Sequence, residues 1–267
     1  MAAVHRGAGL SAPTLTRPTV ADFTVRRADR AALIGASNTG KSTLGAYLLS
    51  KFREQEGPDA RILVLDTKPR WRAEYKPDGR GTRRMYKHFV PGDVLPGSMT
   101  IDSMTHWPIA WDHDTNPSQT VIAQRLEGSH RDNMRFQIAA AERYFRTQRH
   151  TCPSLIYIDE GHDFYSASAS AVAGSDIIQR CVRAGREKGL ATLIGMQRPK
   201  GMNLQTLTEL NKVYLFRIQY EEDVKRLTEL GWPRGVGPPD YSQPHAFKFM
   251  NNEASPDVRT LRLGKVA

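Results

Sequence analysis

Short apolar runs, each closed by a turn and followed by a stretch of helical period, set the rhythm of this chain. Ala31-Ala32-Leu33-Ile34, Ile62-Leu63-Val64-Leu65 and Leu155-Ile156-Tyr157-Ile158 are apolar at every position and too tightly bounded to be buried helices. Such runs predict strands covered on both faces. Ala191–Met196 and Val213–Ile218 predict two more. From Lys41 to about Glu54 the pattern predicts a helix with Leu44, Tyr47 and Leu48 on one face. Met134, Ile138, Ala141 and Phe145, spaced by four, three and four, predict another over 131–149. Further helices are expected from about Ser175 to Lys188, over Leu204–Leu210 and over Glu221–Leu230. Residues 67–128 are rich in Pro, Gly and charge, with strand signals only near Tyr86–Val90 and Met99–Ile101. The tail from about Trp232 is Pro- and Gly-rich, with edge strands expected at Ala246–Met250 and Val258–Leu263. Apolar strands without alternation, separated by helices, argue for an α/β fold: a mostly parallel sheet with helices on both faces. The expected organisation is a flexible arm over residues 1–22 and a single domain over 23–267, with a basic insertion at about 67–128 and an irregular tail from about 232.

Composition narrows the partners more than the fold. The 267 residues suffice for a large hydrophobic core. No apolar stretch approaches the roughly 18 residues needed to cross a bilayer. The N-terminal segment lacks the apolar block and cleavage site of a secretory signal. Cys152 and Cys181 form neither a disulfide framework nor a zinc motif. A cytoplasmic, reducing setting is therefore the expectation. With 38 Lys and Arg against 28 Asp and Glu, the net charge is +10, which makes polyanions plausible partners.

A motif supplies the chemistry. Gly35-Ala36-Ser37-Asn38-Thr39-Gly40-Lys41-Ser42 fits G-x-x-x-x-G-K-[ST] at every fixed position, with an apolar strand before it and a helical pattern after it. Such a loop wraps phosphates closely, pointing successive backbone N–H groups at them from a helix N-terminus that begins at Lys41, Ser42 and Thr43. Lys41 is placed to reach the β- and γ-phosphates, and the Ser42 hydroxyl to ligate Mg²⁺. The strand ending in Asp159-Glu160 delivers two carboxylates to the same sheet edge, where ligands sit in open α/β sheets. Asp159 is the candidate magnesium holder. Glu160, one residue on, is the candidate for polarising an attacking water, which points to ATP hydrolysis rather than nucleotide storage. Asn211-Lys212-Val213-Tyr214 lacks the Asp of the guanine-reading N-K-x-D, and Asp78-Gly79-Arg80-Gly81 follows no strand expected from this pattern.

The stretch from Gly185 to Pro199, with Arg186-Glu187-Lys188-Gly189-Leu190, an apolar strand and Gln197-Arg198-Pro199, resembles the R-x-x-G-[IL] and Q-R-P segments of the HerA/FtsK superfamily of DNA-pumping ATPases. Asp66-Thr67-Lys68 is similar to that family's D-x-K after the second strand, and Asp159-Glu160 to its paired carboxylates. Glu222-Asp223-Val224-Lys225-Arg226-Leu227 after Val213–Ile218 resembles the closing helix. The likeness covers about Ala31 to Gly231. It implies a RecA-like P-loop NTPase core binding ATP and Mg²⁺, and a homo-oligomeric ring, usually a hexamer, with nucleotide between neighbours. It also implies a catalytic set of Lys41, Glu160, Gln197 as polar sensor and Arg186 as a finger inserted into the adjacent subunit's site, with Arg183 in reserve. The chain has room for neither an N-terminal β-barrel nor a membrane module with a winged-helix reader. It thus looks most like the genome-packaging ATPases of double-jelly-roll viruses, which implies double-stranded DNA and a capsid or portal-vertex protein as partners. A conjugation or virion-assembly ATPase of the same superfamily, and a regulatory module that rarely turns over, remain as alternatives.

Residues 68–87 add eight basic side chains, Arg80, Arg83 and Arg84 among them, interleaved with Trp71, Tyr75 and Tyr86. They are candidates for sequence-independent contacts to DNA phosphates, or a solvated loop whose aromatics cover the core. His162 reads as a polar loop residue and Ser166–Gly174 as a loop. Trp107 and Trp111 have no readable role.

Overall fold

Apolar runs bordered by turns become strands wherever parallel neighbours cover both edges, and here they assemble one sheet. In the computed structural model the described residues are 24–80, 83–85, 94–111, 120–125, 127–165, 176–202, 204–229, 231–233, 235–239, 242, 245–251 and 257–262. The strands are β1 (Arg30–Ile34), β2 (Arg61–Leu65), β3 (Arg72–Pro77), β4 (Arg83–Met85), β5 (Val94–Ile101), β6 (Thr120–Ala123), β7 (Ser154–Ile158), β8 (Leu190–Met196), β9 (Lys212–Leu215), β10 (Ala246–Asn251) and β11 (Asp257–Arg262). Their order is β11-β10-β9-β1-β8-β7-β2-β6-β5-β3-β4. From β9 to β3 all neighbours are parallel, while β4 closes one edge and β10–β11 the other in antiparallel fashion. The α/β fold with a mostly parallel sheet is as the sequence implied.

The helices are α1 (Lys41–Glu56), α2 (Trp107–Ala110), α3 (His130–Thr147), α4 (Gly161–Tyr165), α5 (Asp176–Ala184), α6 (Leu204–Thr208) and α7 (Glu221–Glu229). They cover the two faces unequally. On one face α1 packs Leu44, Leu48, Leu49 and Phe52 over Leu33, Ile62, Tyr157 and Leu193. Among the described residues that face is completed by Trp71 and by Tyr214, Phe216, Phe247 and Phe249. On the other face α3, α5, α6 and α7 contribute to a core with Ile34, Leu65, Ile156, Ile158 and Ile194. Alternate residues of each strand thus enter opposite cores, the burial that non-alternating apolar strands require.

Several expectations shift in detail. Tyr47 is 37% exposed and leaves the buried face of α1 to Leu44, Leu48, Leu49 and Phe52. The expected strand Val213–Ile218 ends at Leu215, because the next residues turn to brace the loop after β1: Phe216 N–H donates to Ile34 O, and Ala36 N–H to Arg217 O. Described residues within the segment at 67–128 belong to the sheet. They supply β3, β4, β5 and β6, and β6 pairs directly with β2. Met99–Ile101 lies in β5, while Tyr86–Val90 and Ser166–Gly174 lie outside the described residues, as does the arm over 1–22. Trp107 and Trp111 pack against Tyr144 of α3 with ring centroids 6.5 and 5.7 Å away, sealing the outer part of that core.

Candidate active site

Parallel strands deliver their C-terminal ends to one edge of the sheet, and the chemistry-bearing residues gather there. Gly35 to Gly40 leave β1 as a loop strung between two neighbours: Gly35 N–H donates to Met196 O at the end of β8, and Ala36 N–H to Arg217 O after β9. Gly40 caps α1 with φ +102°, a conformation that any Cβ would strain, and so turns the loop directly into the helix. Asn38 also adopts positive φ, at +61°, which asparagine tolerates better than most residues. Thr39 Oγ1 donates to Ala36 O at 2.9 Å, closing the loop on itself. Ser37, Asn38 and Thr43 remain exposed.

Lys41 curls back over this loop and donates to the carbonyls of Gly35 and Ala36, each at 2.7 Å. Burial lowers its pKa, Glu160 and Asp159 oppose that, and Arg70 and Lys68 add to it; the result is about 8. An ammonium held by neutral carbonyls in a partly buried site is a ready partner for phosphate oxygens.

The two carboxylates at the end of β7 differ sharply in environment. Asp159 is buried. Its Oδ1 accepts from Tyr157 Oη at 2.7 Å and from Ser42 Oγ at 3.5 Å. Its Oδ2 has no hydrogen-bond partner among the described residues. Burial and the neighbouring Glu160 raise its pKa, against the Tyr157 hydroxyl and Arg70. A buried, unpartnered carboxylate oxygen beside a serine hydroxyl fits a divalent cation, and oxygen donors of this kind suit Mg²⁺. No cluster of three or more His, Cys, Asp or Glu able to hold a metal by itself occurs among the described residues.

Glu160, by contrast, is surrounded by donors. Gln197 Nε2, at the end of β8, donates to its two oxygens at 3.1 and 3.2 Å. Lys68 Nζ and Arg70 Nη1 both face Oε1, at 3.3 and 3.5 Å. His162 Nδ1 stands 3.2 Å from Oε2, with its Nε2 3.1 Å from Asp163. Burial pushes the carboxyl up, but His162, Lys68 and Gln197 together outweigh it and hold the pKa down at about 2. Glu160 is therefore ionised at any ordinary pH.

Lys41, Ser42, Asp159, Glu160 and Gln197 thus converge on one sheet edge. Lys68, read from sequence in the D-x-K likeness after the second strand, and Arg70, read only within the basic segment, join them there. His162 is a site residue rather than a bystander. Trp71 is buried, edge-on to Tyr157 at 5.3 Å, and belongs to the core. Arg80 is exposed in the turn between β3 and β4, and Arg83 and Arg84 pair through their backbones with Pro77 and Lys76. That hairpin lies seven strand spacings from β1, roughly 30 Å at about 4.8 Å each. Arg186 is exposed in the 3₁₀ turn that precedes β8. Gln197 follows the far end of that seven-residue strand, so the two are about 20 Å apart in one subunit.

Beside the loop lies a further cleft bordered by Ala36, Ser37, Gln197, Arg198, Gln219, Tyr220 and Asp223. Arg198 is pinned on its rim, 4.1 Å over the Tyr220 ring and 3.1 Å from the buried Asp223. No helix among the described residues is long and apolar enough to cross a membrane.

No protein-family model matches the sequence, and no curated protein matches it. Solved structures do match in fold. The genome packaging NTPase B204 of Sulfolobus turreted icosahedral virus 2, in complex with sulfate, superposes with a TM-score of 0.55 at 11% identity, over 88% of this chain and 97% of that one. The same protein in complex with ATP-gammaS gives 0.54 at 11% identity, over 89% and 98%. EssC, ATPases 2 and 3, from Geobacillus thermodenitrificans gives 0.51 at 10% identity, over 90% of this chain but 41% of that one. At these identities the likeness is one of fold: the chain shares the α/β fold of these ATPases.

Proposed function

We propose, from a P-loop ATPase fold joined to this convergence of side chains, that the chain hydrolyses ATP and uses the energy to move double-stranded DNA as a homo-oligomeric ring, in the manner of a viral genome-packaging motor. The observation that carries the hydrolytic part is the pair Asp159 and Glu160: adjacent in sequence, both buried, one with an orphaned oxygen and the other ionised among donors. Loop N–H groups and Lys41 would bind the phosphates. Ser42 and Asp159 would hold Mg²⁺, which when bound neutralises charge on the phosphates. Glu160 would orient a water and take its proton as the water oxygen bonds to the γ-phosphorus. The bond from that phosphorus to the β–γ bridging oxygen breaks, leaving ADP and phosphate. Gln197 holds Glu160 in place and reports on the terminal phosphate. An arginine from a neighbouring subunit, assigned to Arg186, would stabilise the charge that develops in transfer, an effect worth about 10³–10⁵ in rate elsewhere.

The DNA and ring parts rest on the fold shared with a packaging NTPase, on the +10 charge and on the basic hairpin. A capsid or portal-vertex protein is the docking partner this reading implies. The first test is chemical. Glu160→Gln should bind ATP with affinity within about threefold of wild type, because the amide keeps the shape, yet lose turnover by about 10²-fold or more because it cannot accept the proton. Near-normal hydrolysis by that variant would remove Glu160 from its role.

A further inference from the structure

The loop after β2 is built with unusual care. Asp66 is buried, and its Oδ2 accepts from Arg70 N and Trp71 N, both at 2.9 Å, and from Gln124 Nε2 at 2.6 Å. Gln124 Nε2 also reaches Trp71 O at 3.1 Å. From α3, Asn133 Nδ2 donates to Thr67 O at 2.9 Å, and Gln137 Nε2 to Asp66 O at 2.6 Å. A short surface turn is thereby held by buried amides from two further elements. These bonds tie the backbone of Asp66, Thr67, Arg70 and Trp71 to the core, with Asp66 Oδ1 and Gln137 Oε1 left without a hydrogen-bond partner among the described residues. What this backbone presents is two cations on mobile stems: Lys68 is 41% exposed, Arg70 49%, and both reach the same oxygen of Glu160.

That arrangement is electrostatically unfinished. Lys41 lies in the field of both Arg70 and Lys68, so three cations share a site with two carboxylates, Asp159 and Glu160. Like charges so close disfavour one another, and a triphosphate bound among the three cations would relieve that repulsion. An oxygen engaged by two cations is also poorly placed to take a proton from water.

We propose that Lys68 and Arg70 are a γ-phosphate-responsive pair, resting on Glu160 in the empty site and passing to the terminal phosphate when ATP binds. The exchange frees Glu160 for water and adds cationic stabilisation from within the subunit, distinct from any arginine supplied by a neighbour. The inference rests on the ATPase reading above, and sets Lys68 and Arg70 apart from the rest of the basic segment, whose assigned ligand is DNA.

The test compares equilibrium binding of ATPγS and ADP, each with Mg²⁺, to the wild-type chain, to Lys68→Met/Arg70→Met and to the charge-preserving Lys68→Arg/Arg70→Lys. The wild type should prefer the triphosphate. The methionine variant should lose about tenfold or more in ATPγS affinity, since it gives up charge-assisted bonds to the terminal phosphate, while ADP affinity changes by less than about twofold. The charge-preserving variant should keep the preference, and the methionine variant's kcat for ATP should fall. Retained ADP binding shows that the variant is folded around its phosphate loop. An unchanged triphosphate preference in the methionine variant overturns the inference alone, and so does lost DNA affinity with that preference intact. Equal loss of both nucleotides overturns it as well, because the cations would then serve the whole site and not the γ-phosphate. A wild-type chain that binds neither nucleotide overturns the ATPase reading and this one with it.

Discussion

Lys41 shows how one side chain records the ligand it awaits. In the folded chain its ammonium is partly buried, with only carbonyl dipoles as direct partners, and burial brings its pKa down to about 8. Phosphate oxygens arriving at Nζ favour the charged form and raise that pKa again. The sign of the pH dependence follows. Below about pH 8 Lys41 is already charged and nucleotide binding takes up no proton there. Above it the free site holds a neutral amine, and binding must bring a proton from solution. ATPγS affinity is therefore expected to be nearly flat between about pH 6.5 and 7.5, then to fall as pH rises past 8, approaching tenfold per unit at the steepest. Calorimetric titrations in two buffers of different ionisation heat should show proton uptake on the alkaline side. Affinity independent of pH up to about 9.5 would mean that Lys41 keeps its charge in the empty site. Lys41→Ala should remove productive binding, since the backbone cradle cannot neutralise the β- and γ-phosphates alone. The same residue scale explains Gly195 in β8, where a Cβ would stand 2.4 Å from Asp159 O. Only a glycine lets β8 approach the carboxylate-bearing end of β7 so closely.

Among the elements, the hairpin of β3 and β4 carries the DNA reading. Its turn projects from the same sheet edge as the phosphate loop, yet at the outer margin of the sheet, far from the nucleotide. Basic residues there can meet a polyanion without disturbing hydrolysis in the same subunit. Replacing Arg80, Arg83 and Arg84 together by Ala should weaken DNA binding equally for unrelated sequences. It should also flatten the log–log salt dependence by about 0.9 for each phosphate contact removed. An unchanged slope would make the hairpin a solvated edge. This is also the scale at which the sequence was least legible. β1, β2, β7 and β8 announce themselves because they are buried on both faces and, after a polar first residue in three of them, are dominated by Ile, Leu, Val and Ala. β3 does not, because as a near-edge strand its Arg72, Glu74 and Lys76 alternate with Ala73, Tyr75 and Pro77, and the charged positions mask the signal. β6 is missed for another reason: only four residues long, it lies in a polar stretch, and its burial comes from α3 and β2, which are distant in sequence. At the site, the phosphate loop, Asp159, Glu160 and Gln197 were legible because each follows an apolar strand. Gln124, Asn133 and Gln137 were not, since isolated amides become meaningful only once the tertiary fold sets them around Asp66.

At the scale of the whole molecule, strand direction constrains how subunits of the proposed ring would meet. The phosphate loop and Glu160 sit at the C-terminal edge of the parallel strands, whereas Arg186 precedes β8 at the opposite edge, about 20 Å away in the same subunit. No side-chain motion spans that gap, so Arg186 can serve catalysis only at a neighbour's site. A neighbour reached in this way presents one edge of its sheet to the other edge of the next, a head-to-tail contact that closes into a ring when the rotation permits. Arg186→Ala should then bind ATP almost normally and hydrolyse it poorly, because the guanidinium contributes mainly in the transition state. The decisive experiment mixes Arg186→Ala subunits with Glu160→Gln subunits, each inactive alone. Where a Glu160→Gln subunit offers its intact Arg186 to the site of an Arg186→Ala subunit, one complete site forms, with Glu160 from one chain and the guanidinium from the other. Hydrolysis should return in proportion to such junctions, rising with the fraction of mixed neighbours and vanishing at either pure composition. Arg183, exposed one turn earlier on α5, is the control: if Arg183→Ala rather than Arg186→Ala shows rescue, the finger is reassigned by one helical turn and the ring geometry stands. Mixed assemblies with neither arginine rescued would sever the catalytic link between subunits, and the edge-to-edge contact would lose its function along with the finger.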